Sequence, residues 1–313
     1  MPVILCTAYP EYRVNLRSDW LKHLIDPILE NGYQFVTPIY LRHKYDGTIS
    51  TNIVYNLTRS LYGKRIRRPM GGDLAISRDL AKYYIEQDVW MTDVARFGID
   101  IWMTTSAITQ GFRICQSNLG VKIHDGKDPG RYLGPFFRQV LWTLFYLMEH
   151  HEGYWRGIKG SEPLEILGYV ESMEPEPVSI NADEMMERFS TGYQQFASLW
   201  REIFSEAVFD EIDQLARFGS NGLYLPTETW VRIVYELASV FHRWTVNRSK
   251  LLDLMVPLYY ARVASFVKET WEMSSQEAEY LVEEQAIKFE EDKDYLLQVW
   301  DQSPVKHKKA VGF

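Results

Sequence analysis

The chain has 313 residues, with 34 Lys+Arg against 42 Asp+Glu and a formal net charge of −8. An acidic balance lacks the basic face that a general nucleic-acid binder needs to release counterions from phosphates. No apolar run reaches the roughly 20 residues that span a bilayer, while 46% hydrophobic residues suffice for two cores of ordinary size.

Residues 1–13 carry a short apolar patch with no basic stretch before it, so no secretory signal is expected. Cys6 and Cys115 are the two cysteines. They lack metal-type spacing, and isolated thiols point to a reducing, cytoplasmic compartment. The aromatic content of 14% reads as large anchors in helix cores.

Residues 20–29 have the i, i+3, i+4 spacing of an amphipathic helix, closed by Asn31-Gly32. Residues 34–40, β-branched and aromatic, predict a strand. A helical pattern follows over 49–62. Leu74-Ala75-Ile76 predicts a second strand, and Ser77 is placed to cap a helix from Arg78. A helix is expected over 99–109 and a strand over 112–117, continued by Val121-Lys122-Ile123. These elements make an α/β unit with a small sheet over residues 1–134.

From Gly134-Pro135 onward the pattern turns helical. A long apolar helix over 136–152 ends in Glu149-His150-His151-Glu152, where cationic histidines would complement the helix dipole. A proline-bearing acidic linker covers 171–182. Amphipathic helices are expected over 183–217, 226–243, 248–270 and 274–300. The predicted fold is therefore α/β followed by an all-α domain over 135–313.

Four groups of residues stand out. Arg42, Asp46 and Ser50 recur at intervals of four. If helical from Lys44, Asp46 and Ser50 share a face with Arg42 at its mouth. Arginine grips a carboxylate or phosphate through paired hydrogen bonds, yet spacing alone favours a solvated charge run. The segment Met70-Gly71-Gly72-Asp73 offers two glycines that let backbone approach a ligand, or simply a turn. The preceding Arg65, Arg67 and Arg68 read as a solvated basic turn, with a phosphorylated ligand as the alternative. Asp100, after Gly98-Ile99, reads as a helix cap, with orientation or deprotonation of a hydroxyl as the functional alternative. His124, beside Asp125 and Asp128, is a surface histidine or a ligand of a divalent cation.

In this order, the groups resemble the GT-A glycosyltransferases of the mannosylglycerate and glucosylglycerate synthase kind. Gly32-Tyr33, the helical stretch Leu258-Tyr259-Tyr260-Ala261-Arg262-Val263 and the rest of residues 15–300 join the resemblance. It implies a Rossmann-like sheet domain and transfer of a sugar from a nucleoside-diphosphate-sugar to glycerate or a similar small hydroxy acid. By the same resemblance Arg42, Asp46 and Ser50 bind the acceptor, and Met70, Gly71, Gly72 and Asp73 line the donor sugar. Asp100 would sit where acceptor hydroxyl and anomeric carbon meet, and His124 would bind Mg²⁺ or Mn²⁺. The family's Asp-x-Asp pair has no counterpart in residues 12–20, where Asn15 and Asp19 stand. The chain is therefore expected to lack the nucleotide-binding half and to be inactive alone. A non-catalytic remnant serving homo-oligomerisation or partner binding is the alternative, and an acceptor-binding module without catalysis is a third reading.

Overall fold

A computed structural model describes residues 3–6, 18–121, 133–168, 175–218 and 224–302. Two compact units emerge, Met1–Ile180 with Thr270–Glu290, and Asn181–Glu269 with Glu291–Phe313.

The first unit is built on a five-stranded mixed sheet. Its strands are β1 (Val3–Cys6), β2 (Phe35–Leu41), β4 (Leu74–Ser77), β5 (Ile114–Val121) and β7 (Ile166–Leu167), with a two-stranded ribbon of β3 (Lys64–Arg65) and β6 (Glu162–Pro163). The order is β1-β4-β2-β5-β7. Strand β4 runs antiparallel to β1 and β2, whereas β2, β5 and β7 run parallel. The short apolar patch at the N-terminus is thus a strand, at one end of the sheet, that periodicity did not reveal.

Alternation along the strands assigns the two faces. Val36, Tyr40, Ala75, Cys115 and Leu119 pack against Leu24 and Ile28 of helix α1 (Ser18–Asn31). Burying each such apolar side chain contributes about 1.5–3 kcal/mol. The neighbouring register positions carry Thr37 and Gln116, both buried. The Gln116 amide donates to the Arg65 carbonyl (3.1 Å) and accepts from the Arg67 amide (2.8 Å). The Thr37 hydroxyl donates to the Arg68 carbonyl (3.3 Å). Two buried polar side chains therefore pin residues 65–68 to the sheet.

Pro38 lies within β2 opposite Ser117 of β5, while the pairing of β2 with β4 ends at Val36. A residue without an amide hydrogen costs nothing on a side where the ladder has stopped.

Helix α2 (Tyr55–Tyr62) continues from a π-helical turn, Ser50–Val54. The Thr51 carbonyl accepts from the Asn56 side chain (3.2 Å) and from Gln285 (3.1 Å). Helices α3 (Arg78–Ile85), α4 (Ile99–Thr109), α5 (Leu133–His150) and α6 (Glu152–Trp155) complete this part of the unit. Ser77 caps α3 as the sequence predicts, accepting from the Leu80 amide.

Helix α5 belongs to the first unit, so the break falls after Ile180 and not at the 134/135 boundary that the sequence suggests. The reason lies in packing. A Cβ on Gly98 would stand 2.7 Å from the Cβ of Thr143, so α5 meets the start of α4 at a position that only glycine allows. Phe137, Val140, Leu141, Leu144 and Phe145 of α5 are buried.

The second unit is helical: α7 (Ala182–Ile203), α8 (Glu206–Phe218), α9 (Thr227–Arg243), α10 (Arg248–Leu251) and α11 (Met255–Glu269). The predicted helix 183–217 is broken at Phe204-Ser205, where the Ser205 amide and hydroxyl both donate to Glu236, each at 2.6 Å. Trp200, Trp230, Tyr235 and Tyr259 are fully buried, as expected of aromatic core anchors. Buried Arg262 donates to both oxygens of Glu269 (3.0 and 2.9 Å) and to the Leu225 carbonyl (3.1 Å). Helix α12 (Ser275–Glu291) returns to the first unit through Glu290, and α13 (Lys293–Trp300) belongs to the second. Among the described residues no helix is long and apolar enough to cross a membrane.

Candidate functional site

Strand direction brings Arg42 and Asp73 to one end of the sheet. Arg42 follows the C-terminal end of β2, and Asp73 immediately precedes β4, which runs the opposite way. Cys6 ends β1 opposite Leu74. In open α/β sheets the carboxyl ends of parallel strands are where ligands bind.

The Tyr40 hydroxyl donates to Asp73 across 2.6 Å. Burial first, and the Asp73 carboxylate second, push the Tyr40 phenol far above its ordinary range, so it remains a donor. Arg42 lies 5.8 Å from the Tyr40 ring centroid and pairs with Asp46 at 3.5 Å. Residues 44–47 form a turn, so the predicted helix begins later than Lys44. Arg42 and Asp46 meet across that turn. Ser50 lies in the π-helical turn, and its buried hydroxyl has no hydrogen-bond partner among the described residues.

Gly71 has a packing role. A Cβ there would stand 2.6 and 2.7 Å from Cγ and Cδ of Pro38. The glycine thus lets the loop lie on the proline ring, a plainer purpose than approach to a ligand. The Thr104 hydroxyl holds the same loop by donating to the Pro69 carbonyl (3.0 Å). Met70, Gly72 and Asp73 are half-buried.

Asp100 is not the cap of α4. Gly98 occupies that position, and Asp100 sits in the first turn, where the dipole favours a carboxylate. Its charge acts on Cys6. Burial is the larger cause of the raised Cys6 thiol pKa, and the nearby Asp100 carboxylate adds to it.

Arg67 and Arg68 are not a solvated turn. Arg68 is 4% exposed. Arg67 donates to both oxygens of Glu279 in α12, at 2.6 and 2.8 Å. Against the cost of its burial, Glu279 holds Arg67 above its ordinary pKa. The involvement of α12 lay beyond sequence pattern, since more than two hundred residues separate the partners. Tyr40 was also missed as a site residue, because a tyrosine in a strand carries no signal beyond core packing.

His124, with Asp125 and Asp128, lies outside the described residues. Among those described, no group of three or more His, Cys, Asp or Glu could hold a metal ion. No described residue is therefore assigned to Mg²⁺ or Mn²⁺. No protein-family model matches the chain, and no curated protein does.

Proposed function

We propose that the first unit binds the acceptor in a sugar transfer of the GT-A kind, from a nucleoside-diphosphate-sugar to a small hydroxy acid such as glycerate. The observation that carries this reading is the placing of Arg42, Asp46 and Asp73 around Tyr40 and the turn that follows β2. Two carboxylates near one guanidinium suit a ligand that is both anionic and hydroxyl-bearing.

Arg42 takes the acceptor carboxylate through parallel N–H donors. Asp46, already beside Arg42, accepts from an acceptor hydroxyl. Asp73, held by Tyr40, accepts from hydroxyls of the donor sugar. Asp100 receives the proton of the attacking hydroxyl as its oxygen bonds the anomeric carbon and the bond to the diphosphate breaks. A cation held by His124 would supply charge stabilisation to the departing diphosphate.

Ligand-observed NMR with the full chain tests the acceptor assignment. D-glycerate should give saturable binding and propionate, which has the carboxylate without hydroxyls, much weaker binding. Equal binding of the two would contradict the assignment of Asp46.

A further inference from the structure

Lys44 stands between Arg42 and Asp46, in the turn at residues 44–47. Its Nζ donates to the backbone carbonyls of Thr270 (2.7 Å), Trp271 (3.2 Å) and Met273 (2.5 Å). An ammonium carries three donors and no acceptor, so each N–H has a carbonyl of its own. The Lys44 amide donates to the hydroxyl of Ser275, the first residue of α12 (3.3 Å). The buried Tyr45 ring lies 5.0 Å from Nζ, and the Tyr45 hydroxyl accepts from the Thr270 hydroxyl (3.5 Å). All of these residues belong to the first unit.

The turn's own fastenings are short-range. The Asp46 amide donates to the His43 carbonyl (2.8 Å) and the Thr51 amide to the Gly47 carbonyl (3.1 Å). Arg42 and Asp46 meet at 3.5 Å, and a single ion pair that keeps some contact with solvent fixes geometry weakly. Ligand-binding side chains work only when surrounding contacts hold them within about 0.5 Å of the productive arrangement. Helix α12 offers a base for this. It is fastened independently, with Glu283 and Glu290 paired to Arg59, Glu279 paired to Arg67, and Val282 and Phe289 buried. The carbonyls that precede α12 thus give the turn a fixed support, and the Lys44 ammonium ties the turn to it.

We infer that Lys44 is a positioning residue: its ammonium, held by the carbonyls of Thr270, Trp271 and Met273, clamps the turn that presents Arg42 and Asp46 to a ligand. Lysine suits the task because a compact ammonium directs its donors at three converging carbonyls, whereas the planar arginine fork cannot. The benefit to acceptor binding rests on the proposed function, but the clamp itself is tested without it.

Amide hydrogen exchange of the full chain, read by NMR, is compared with that of Lys44→Met. Exchange at Asp46 and Thr51 should speed up about tenfold or more, the value of one charge-assisted hydrogen bond. The Gln116 amide of β5, which donates to the Glu165 carbonyl (2.9 Å), should be unchanged. D-glycerate should bind the variant about tenfold more weakly, and Lys44→Arg should restore neither property. Equal acceleration at Gln116 would show that Lys44 supports the fold at large, and unaltered exchange at the turn that no clamp is needed. Either result overturns the inference, as does full rescue by arginine. Should the variants not fold, the parent decides: an ammonium held by three carbonyls keeps its protons long enough to give a ¹⁵N signal near neutral pH, and loss of that signal to fast exchange would overturn the clamp. A parent that does not bind D-glycerate would sink the acceptor reading, while the turn amides still decide the clamp. Equal glycerate binding by parent and variant would sink the positioning role and leave the acceptor reading standing.

Discussion

The Tyr40 hydroxyl and the Asp73 carboxylate, 2.6 Å apart, join the end of β2 to the loop that precedes β4. The strand that leads to Arg42 and the loop carrying Gly71-Gly72 are thereby fixed to one another. Replacing Tyr40 with Phe removes the donor of this bond. A loss of about 1.5–3 kcal/mol is expected, the range for hydrogen bonds to charged groups, measured by urea unfolding. An unchanged midpoint would show that the loop is held without this bond.

Gly71 and Gly72 should separate by mechanism. Gly71→Ala drives a Cβ into the Pro38 ring and should cost about 1–3 kcal/mol through overpacking. Gly72→Ala meets a φ of +79°, so its cost, about 1–2 kcal/mol, comes from left-handed backbone. Pro38→Ala, which clears the contact, should rescue the first variant and not the second. Equal rescue in a double-mutant cycle would contradict the assignment.

Arg59 of α2 is 2% exposed and pairs with Glu283 (2.5 Å) and Glu290 (3.2 Å) of α12. Its replacement by Met takes the guanidinium from both carboxylates, with Glu283 keeping the Tyr55 hydroxyl. Both partners are partly solvated, so about 2–3 kcal/mol is expected, below the 3–5 kcal/mol of a fully buried pair. Calorimetric unfolding measures it, and a neutral result would mean that α12 is held by its apolar residues alone.

His151 gives a pH signature. Burial, with His150 beside it, lowers its pKa from 6.5 to about 4. It is therefore neutral near pH 7, contrary to the cationic helix end that the sequence suggests. As pH falls below 6.5 the unfolded chain binds a proton that the folded chain refuses until about pH 4. Stability should decline across that window and level off below it, by on the order of 2 kcal/mol after allowance for partial exposure. His151→Asn should flatten this component, and an unaltered slope would refute it.

Much of the first unit was legible because its elements announce themselves locally. Residues 20–29 and 34–40 show clean periodicity, and Ser77 is a cap by residue type alone. The strand at Val3–Cys6 was too short for alternation to register. The break at Phe204-Ser205 was hidden because Glu236, which satisfies Ser205, comes thirty-one residues later. The placement of α5 depended on Gly98 meeting Thr143, a contact without a sequence pattern. At the site, spacing brought Arg42 and Asp46 together but mistook Arg67 and Arg68 for solvated residues. Their burial depends on Gln116, Thr37 and α12, all distant in sequence.

The central claim is that Arg42 receives the carboxylate of a small hydroxy acid. Calorimetric titration of D-glycerate into the parent chain and into Arg42→Met tests it most directly. Saturable binding to the parent, weakened about tenfold or more in the variant, is the predicted result. Binding of equal strength to both proteins, or none to the parent at millimolar glycerate, would contradict it.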